Sequence, residues 1–397
     1  MTWGPPLADR LAAVPPPRPW ATALLIAIGH AGYMLALGAA MAPDSRLYAY
    51  WSMRLIESGF DYPTLVVEAS AGASFPPILY ALFATLVALL RLALGSEWAT
   101  GLAVLNFAAH VGLGVLVVGL AVRTTASGLA GWGALLLFLA CFDLLMWAPF
   151  VLSDATFVFL AFLIFTLAAG RILDSSKSWL AVIAPAAAGI FYRPTGIVLI
   201  PDLLWAAYLS RTGKRRPGRL AMLAILGAGA GIAAFVFAWF MQDPGRWPFD
   251  PLSGAFRAVA SEYARGEVVS ARPETYHAAP RALADYMLIS ADRFVHFFAI
   301  GAAGYSRGHW LAQLAFFLPC YALAGWLAAA LWRDRTGFGA VERKVFLAAF
   351  GAIISYAIFH ALVQVDFDWR YRTPILPHLI LLAAGGLADL ARRRRPE

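Results

Sequence analysis

The chain has 397 residues, of which 61% are apolar and only 14% charged, with a formal net charge of +8. A soluble globular domain carries about 25% charged residues, and no water-facing fold of this length hides so much apolar surface, so lipid is the solvent the composition implies. The basic residues cluster in short loops, where they orient a chain in a membrane, which argues against a nucleic-acid-binding surface.

Runs of about 20 predominantly apolar residues recur along the chain, for example over 22–41, 128–147 and 221–241. Such spans must be helical, because every backbone N–H and C=O in hydrocarbon needs an internal partner. The pattern predicts an all-α polytopic membrane protein, one transmembrane domain over 1–397. About ten spans are expected, near 20–41, 98–121, 127–148, 153–172, 178–192, 194–210, 219–241, 310–332, 345–363 and 373–391. The prolines before the first span (Pro5, Pro6, Pro15, Pro16, Pro17, Pro19) are not followed by a short apolar core and a cleavage site, so that span reads as an anchor. Cys141 and Cys320 fall in apolar helices and imply packing, not a disulfide framework or a metal site.

The basic loops 211–219 and 333–344 and the run Arg392–Arg395 mark the cytoplasmic side, as do Lys177, Lys214 and Lys344. Both termini are then cytoplasmic. The apolar segment 75–92 is long enough to cross; the parity of the basic loops works if it dips in and returns, and if it crosses instead, the short spans 178–192 and 194–210 are the ones to merge. Two outer loops result, 42–97 and 242–309. Both are too long to be connectors and are rich in Asp, Glu, Arg, Tyr and Trp. They are expected to cap one face of the bundle.

The first loop opens on Asp44, followed by Leu47, Tyr50, Trp51, Arg54 and Leu55 at helical spacing, which predicts a surface helix. Asp44 serves either as its N-cap or as a carboxylate placed to take a proton. Glu68 is a second carboxylate in this loop, and Arg46 and Arg54 could pair with either. Phe75-Pro76-Pro77 opens the re-entrant segment; a proline at a helix start loses no bond. Asp143 lies inside a span, where a carboxylate marks function or pairs with a base. Ser153-Asp154 starts the next span, and Asp154 is favoured there by the helix dipole alone. Tyr192-Arg193-Pro194-Thr195-Gly196 breaks two short spans. Its arginine is either a planar fork for a phosphate or carboxylate or a snorkelling side chain.

The densest feature follows His360. It runs Gln364-Val-Asp366-Phe-Asp368-Trp369-Arg370-Tyr371-Arg372-Thr-Pro374 and leads into the last span. From Asp366 to Arg372 every residue is a carboxylate, an arginine or an aromatic. That density reads as an anion site: Arg370 and Arg372 neutralise a lipid phosphate, and Tyr371 or Trp369 packs on a sugar or sits in the headgroup belt. The second loop adds an amphipathic segment, 285–300. Neither His-x-x-x-His nor Cys-x-x-Cys occurs, nor a phosphate-binding Gly-rich loop, so nucleotide use is not expected.

In order, these features resemble the GT-C superfamily of membrane glycosyltransferases, which includes protein O-mannosyltransferases, lipid A aminoarabinose transferases and mycobacterial mannosyltransferases. Asp44 with Tyr48 and Gly59, the Pro76-Pro77 helix, Ser153-Asp154-Ala-Thr-Phe157, Arg193-Pro194-Thr195-Gly196 and Arg370-Tyr371 with Pro374 and Pro377 carry the resemblance. Many members have Asp-Glu where this chain has Asp44-Ser45. The resemblance implies inverting transfer of one sugar from a polyprenyl-phosphate-linked donor to a lipid, glycan or protein acceptor. The reaction would occur on the periplasmic face of a bacterial inner membrane, among membrane lipids, and serve the cell envelope. Asp44 would be the general base. Arg193, Arg370 or Arg372 would stabilise the leaving phosphate, and Tyr371, Asp154, Glu68, His360 and Asp368 would line the site. Some relatives use a divalent cation, Mg or Mn, on which this sequence does not decide. The rival readings are a lipid-linked sugar flippase, which would be expected to show repeats and midplane charges, and a non-catalytic membrane subunit.

Overall fold

A computed structural model describes residues 14–63, 65–66, 77–174, 178–212, 250–302, 304–363 and 370–393. In chain order these form α1 (Pro19–Leu37), α2 (Pro43–Glu57), α3 (Ala81–Leu94), α4 (Trp98–Thr125), α5 (Gly128–Ala140), α6 (Phe142–Leu145) and α7 (Asp154–Leu173). They continue as α8 (Leu180–Ile190), α9 (Leu199–Arg211), α10 (Asp250–Ala264), α11 (Leu283–Phe297), α12 (Arg307–Trp332), α13 (Ala340–Leu362) and α14 (Leu376–Arg393). Among the described residues there is no strand, only an isolated bridge between Ala40 and Phe150.

Six helical stretches are long and apolar enough to cross a membrane: Pro19–Leu37, Ile78–Thr125, Asp154–Leu173, Arg307–Trp332, Ala340–Leu362 and Arg370–Arg393. Two apolar helices, α5 and α8, are shorter. The fold is therefore all-α and membrane-embedded, with six long apolar stretches described where about ten spans were expected. The expected span 219–241 lies outside the described residues, as do Glu68, Asp368 and the Phe75-Pro76 step.

Helix α14 is the hub. It packs against α4, α5, α12 and α13, and its residues from Leu376 to Gly386 are buried. Gly386 permits the closest approach: a Cβ there would sit 2.2 Å from the Leu323 carbonyl oxygen of α12. Small residues at helix crossings let backbones come together in lipid, where dispersion replaces the hydrophobic effect as the driving force.

The bundle has two chemically distinct ends. At one, Asp389 accepts from Trp326 Nε1 (3.1 Å), Gly337 N (2.9 Å) and Arg393 Nε (2.8 Å). There Arg392 donates to Gly337 O (2.9 Å) and Thr125 O, and Trp132 Nε1 donates to Pro15 O (3.0 Å). At the other end α2, α3, the start of α4 and the 146–152 segment bury a separate aromatic cluster of Tyr48, Trp51, Phe83 and Trp147.

The segment 75–92, expected to dip and return, contributes α3. Phe83, Ala84, Val87 and Ala88 of α3 enter that same cluster beside α2. Tyr80 at its start packs on Tyr48 and Trp51, with ring centroids 5.3 and 5.7 Å apart. The expected surface helix is α2, but its buried face is Tyr48, Trp51, Ser52 and Leu55, while Tyr50 points outward, 53% exposed.

The expected span 127–148 is interrupted. Helix α5 stops at Ala140, Cys141 leaves helical geometry, and the one-turn α6 carries Asp143. A buried ion pair accounts for the break. Arg372 is 1% exposed and donates to Asp143 Oδ2 through Nη2 (2.7 Å) and Nε (3.2 Å). Arg372 Nη2 also donates to Gln313 Oε1 (3.0 Å), Gln313 Nε2 donates to Asp143 Oδ1, and Arg372 Nη1 donates to Ala299 O. The guanidinium lies over the Phe317 ring at 4.2 Å. Every partner saturates another, as a charge in a dry interior requires.

Removing one side of a buried pair leaves an uncompensated charge, at a cost of about 3–5 kcal/mol. Arg372→Met is expected to lower the thermal midpoint followed by tryptophan fluorescence in detergent, and Asp143→Leu added to it to recover most of the loss.

Candidate functional site

The start of α2 is stitched to the segment before α7. Ala40 N donates to Pro149 O and Val151 N to Ala40 O, each at 2.9 Å. The Ser45 hydroxyl accepts from Ala42 N (2.8 Å) and donates to Val151 O (2.8 Å). Asp44 is therefore not the cap. Ala42 holds that position, and Asp44 is the second residue of α2 with its side chain directed elsewhere. Asp154 is the first residue of α7. Two helix N-termini, each favourable to an anion, thus meet at one end of the bundle.

Arg193 is set by a tight turn between α8 and α9. Tyr192 Oη donates to Thr156 Oγ1 (2.6 Å), and Leu82 N donates to Phe191 O (3.0 Å). Pro194–Val198 is a 3₁₀ turn pressed so closely on α8 that a Cβ on Gly196 would lie 2.1 Å from Gly189 O. Arg370 and Tyr371 stand on a second 3₁₀ segment, Arg370–Ile375. With three residues per turn in such a segment, Arg370 and Arg372 face different ways. Arg372 goes into the bundle, and Arg370 goes to the carboxylates.

The result is an alternating ion network. Arg193 Nη1 is 2.5 Å from Asp154 Oδ1, Arg370 Nε is 3.8 Å from the same oxygen, and Arg370 Nη2 is 2.9 Å from Asp44 Oδ2. The two carboxylates differ sharply in exposure: the Asp154 side chain is 3% exposed and that of Asp44 is 45%. Arg370 lies 5.1 Å from the Tyr371 ring and 5.9 Å from that of Trp147, and Arg193 lies 5.6 Å from Tyr371. Burial pushes the Tyr48 phenol well above its ordinary range, so this neighbour stays neutral.

His360 stacks on Tyr371 (5.2 Å, 12°) and on Phe297 (5.4 Å, 14°). Through Phe297 the site reaches the second long loop, which docks on the end of α13. Tyr263 Oη donates to Ala361 O (3.2 Å). Arg293, fully buried, donates to Glu267 O (2.6 and 2.9 Å) and Val363 O (3.0 Å).

An open recess adjoins the network, lined by Tyr80, Arg193, Thr195, Phe359, His360 and Tyr371. A second, smaller space touches Asp154, Trp147 and His110. Thr195 Oγ1, Trp147 Nε1 and Ser153 Oγ are buried in this region without a hydrogen-bond partner. Groups of that kind are the ones a ligand or water satisfies. Among the described residues the donor set does not fit a divalent cation. Asp44 and Asp154 already share a guanidinium between them, and no three His, Cys, Asp or Glu side chains converge among the described residues.

Of the residues singled out in the sequence, Asp44, Asp154, Arg193, Arg370, Tyr371 and His360 come together. Arg372 does not join them, and Glu68 and Asp368 lie outside the described residues. Trp147, Tyr80 and Phe297 were not singled out. Trp147, two residues before Pro149 and four after Asp143, and Tyr80, three residues after Pro77, could have been, each an aromatic beside a Pro-marked turn. No family model, curated protein or solved structure matches the chain.

The contact at Gly196 gives a test of how Arg193 is held. Forcing a methyl group into that contact costs about 1–3 kcal/mol. Gly196→Ala is expected to lower the thermal midpoint in detergent, whereas Gly119→Ala, which meets nothing within 4 Å, leaves it in place.

Proposed function

We propose that this chain is a membrane glycosyltransferase of the GT-C kind. It transfers a single sugar, hexose or pentose, from a polyprenyl-phosphate-linked donor to a lipid, glycan or protein acceptor, with inversion. The observation that carries the reading is a half-exposed carboxylate, Asp44, held 2.9 Å from an arginine that is only 13% exposed, at an end of an apolar bundle. Transfer from a phosphate-linked sugar needs a base for the acceptor and fixed positive charge for the leaving phosphate, and here the two sit side by side.

In this reading the acceptor O–H gives its proton to Asp44 as its oxygen bonds to the anomeric carbon. The bond from that carbon to the phosphate oxygen breaks with inversion, and the electron pair leaves on the phosphate. Arg370 and Arg193 meet the developing charge; preorganised donors of this type supply several kcal/mol in a site shielded from water. Asp154 keeps Arg193 in place and does not take part in proton transfer. The donor sugar enters the recess beside Thr195 and His360, and the polyprenyl chain runs out along the apolar helices.

The orientation of the bundle is part of the proposal. Arg171, Arg211, Arg333, Arg335, Arg343, Arg392 and Arg393 belong to helix ends or loops opposite the site. By the positive-inside tendency that end is cytoplasmic, and the site faces the periplasm of a bacterial inner membrane.

Removing a general base costs about 10²- to 10⁴-fold in rate. In membranes supplied with radiolabelled polyprenyl-phosphate sugars, Asp44→Asn is expected to reduce transfer by that order; transfer at the wild-type rate would sink Asp44 as the base.

A further inference from the structure

The two carboxylates of the ion network are not equivalent, and the difference has a mechanical meaning. Asp154 is buried, 2.5 Å from an equally buried Arg193. It cannot leave without stranding a charge in the interior. Asp44 is 45% exposed, stands at the first turn of α2 and meets Arg370 at 2.9 Å. It can swing to water, because its own carboxylate already stands partly in solvent. Arg370 cannot follow. Its segment is pegged two residues on by Arg372 inside the bundle, and its guanidinium lies among Tyr371 and Trp147.

The charges lead the same way. Among the described residues, the charges of Asp44, Asp154, Arg193 and Arg370 sum to zero. A phosphate arriving while Asp44 stays would leave the cluster negative, whereas one arriving as Asp44 leaves restores the balance. Asp44 holds Arg370 by the single contact Nη2 to Oδ2, and a phosphate can engage the same guanidinium through two parallel bonds.

We propose that Asp44 is an internal stand-in for phosphate: in the resting protein its carboxylate occupies Arg370, and a phosphate-bearing ligand displaces it. The inference rests on the reading of Asp44 as the base and adds an order of events. While Arg370 holds Oδ2, that oxygen is not available to a hydroxyl group. It becomes available only when a phosphate takes Arg370. The donor therefore binds first and arms the base, and no acceptor is deprotonated at an empty site.

The test measures binding to the full chain in nanodiscs, with a polyprenyl monophosphate and inorganic phosphate as separate probes. For a competitor worth about 1 kcal/mol, Asp44→Asn should bind the lipid phosphate about fivefold more tightly than wild type. The gain should vanish in the Arg370→Gln background. Arg370→Lys, which keeps the charge without the fork, serves as a second background in which the gain shrinks. Tighter binding of both probes shows that the latch answers to phosphate itself; tighter binding of the lipid alone shows that it answers to the anchored headgroup. Unchanged or weaker lipid binding by Asp44→Asn overturns the proposal, and so does a gain that persists without Arg370. Sugar transfer is scored separately. If the wild-type chain transfers no sugar, a fivefold gain in Asp44→Asn sinks the transferase reading and leaves the latch, and transfer by wild type with affinities unchanged in Asp44→Asn does the reverse.

Discussion

Arg372 cannot sit in an apolar bundle without a partner, and the way it is satisfied sets the geometry around it. Asp143, Gln313 and the Ala299 carbonyl all converge on its guanidinium. Satisfying it interrupts the helix that carries Asp143, ties α12 and the 298–300 turn to the start of α14, and fixes the 3₁₀ segment at Arg370–Ile375. Because that segment turns through three residues, anchoring Arg372 inward presents Arg370 and Tyr371 to the opposite side. The buried pair lines neither recess, yet the position of Arg370 depends on it.

A second constraint acts from the other side. The hydrogen bonds from Ala40, Ala42 and Ser45 to the 149–151 segment hold the start of α2 against the start of α7. Two helix N-termini are thereby aimed at the same pair of arginines. Ser45 uses its hydroxyl on the backbone here and leaves Asp44 as the exposed carboxylate. The stack of Phe297, His360 and Tyr371 adds a third contact, joining the second long loop to the floor of the network. His360 thus joins Phe297 to Tyr371 through packing.

Much of this was legible in the sequence, for physical reasons. Long apolar runs admit few structures other than helices in lipid, so membrane embedding follows from composition. Charged groups at span ends are costly and few, so Asp44, Asp154, Arg193 and Arg370 stood out. The division of labour between Arg370 and Arg372 was not legible: both belong to one unbroken polar stretch, and only the position of Asp143 in three dimensions tells them apart. The interruption at Cys141 was hidden because the apolar run continues through it. Tyr50 and Trp51 both fit a helical repeat, and only the packing of α3 on α2 decides which of them is buried.

The central claim is that a lipid phosphate binds where Arg370 and Arg193 meet and that Asp44 yields its place. A cryo-electron microscopy structure of the protein in nanodiscs with a bound polyprenyl phosphate tests it most directly. The account predicts phosphate density within hydrogen-bonding distance of Arg370, with the Asp44 carboxylate turned away and Asp154 still on Arg193. Density remote from both arginines, with the Asp44–Arg370 pair intact, would contradict it.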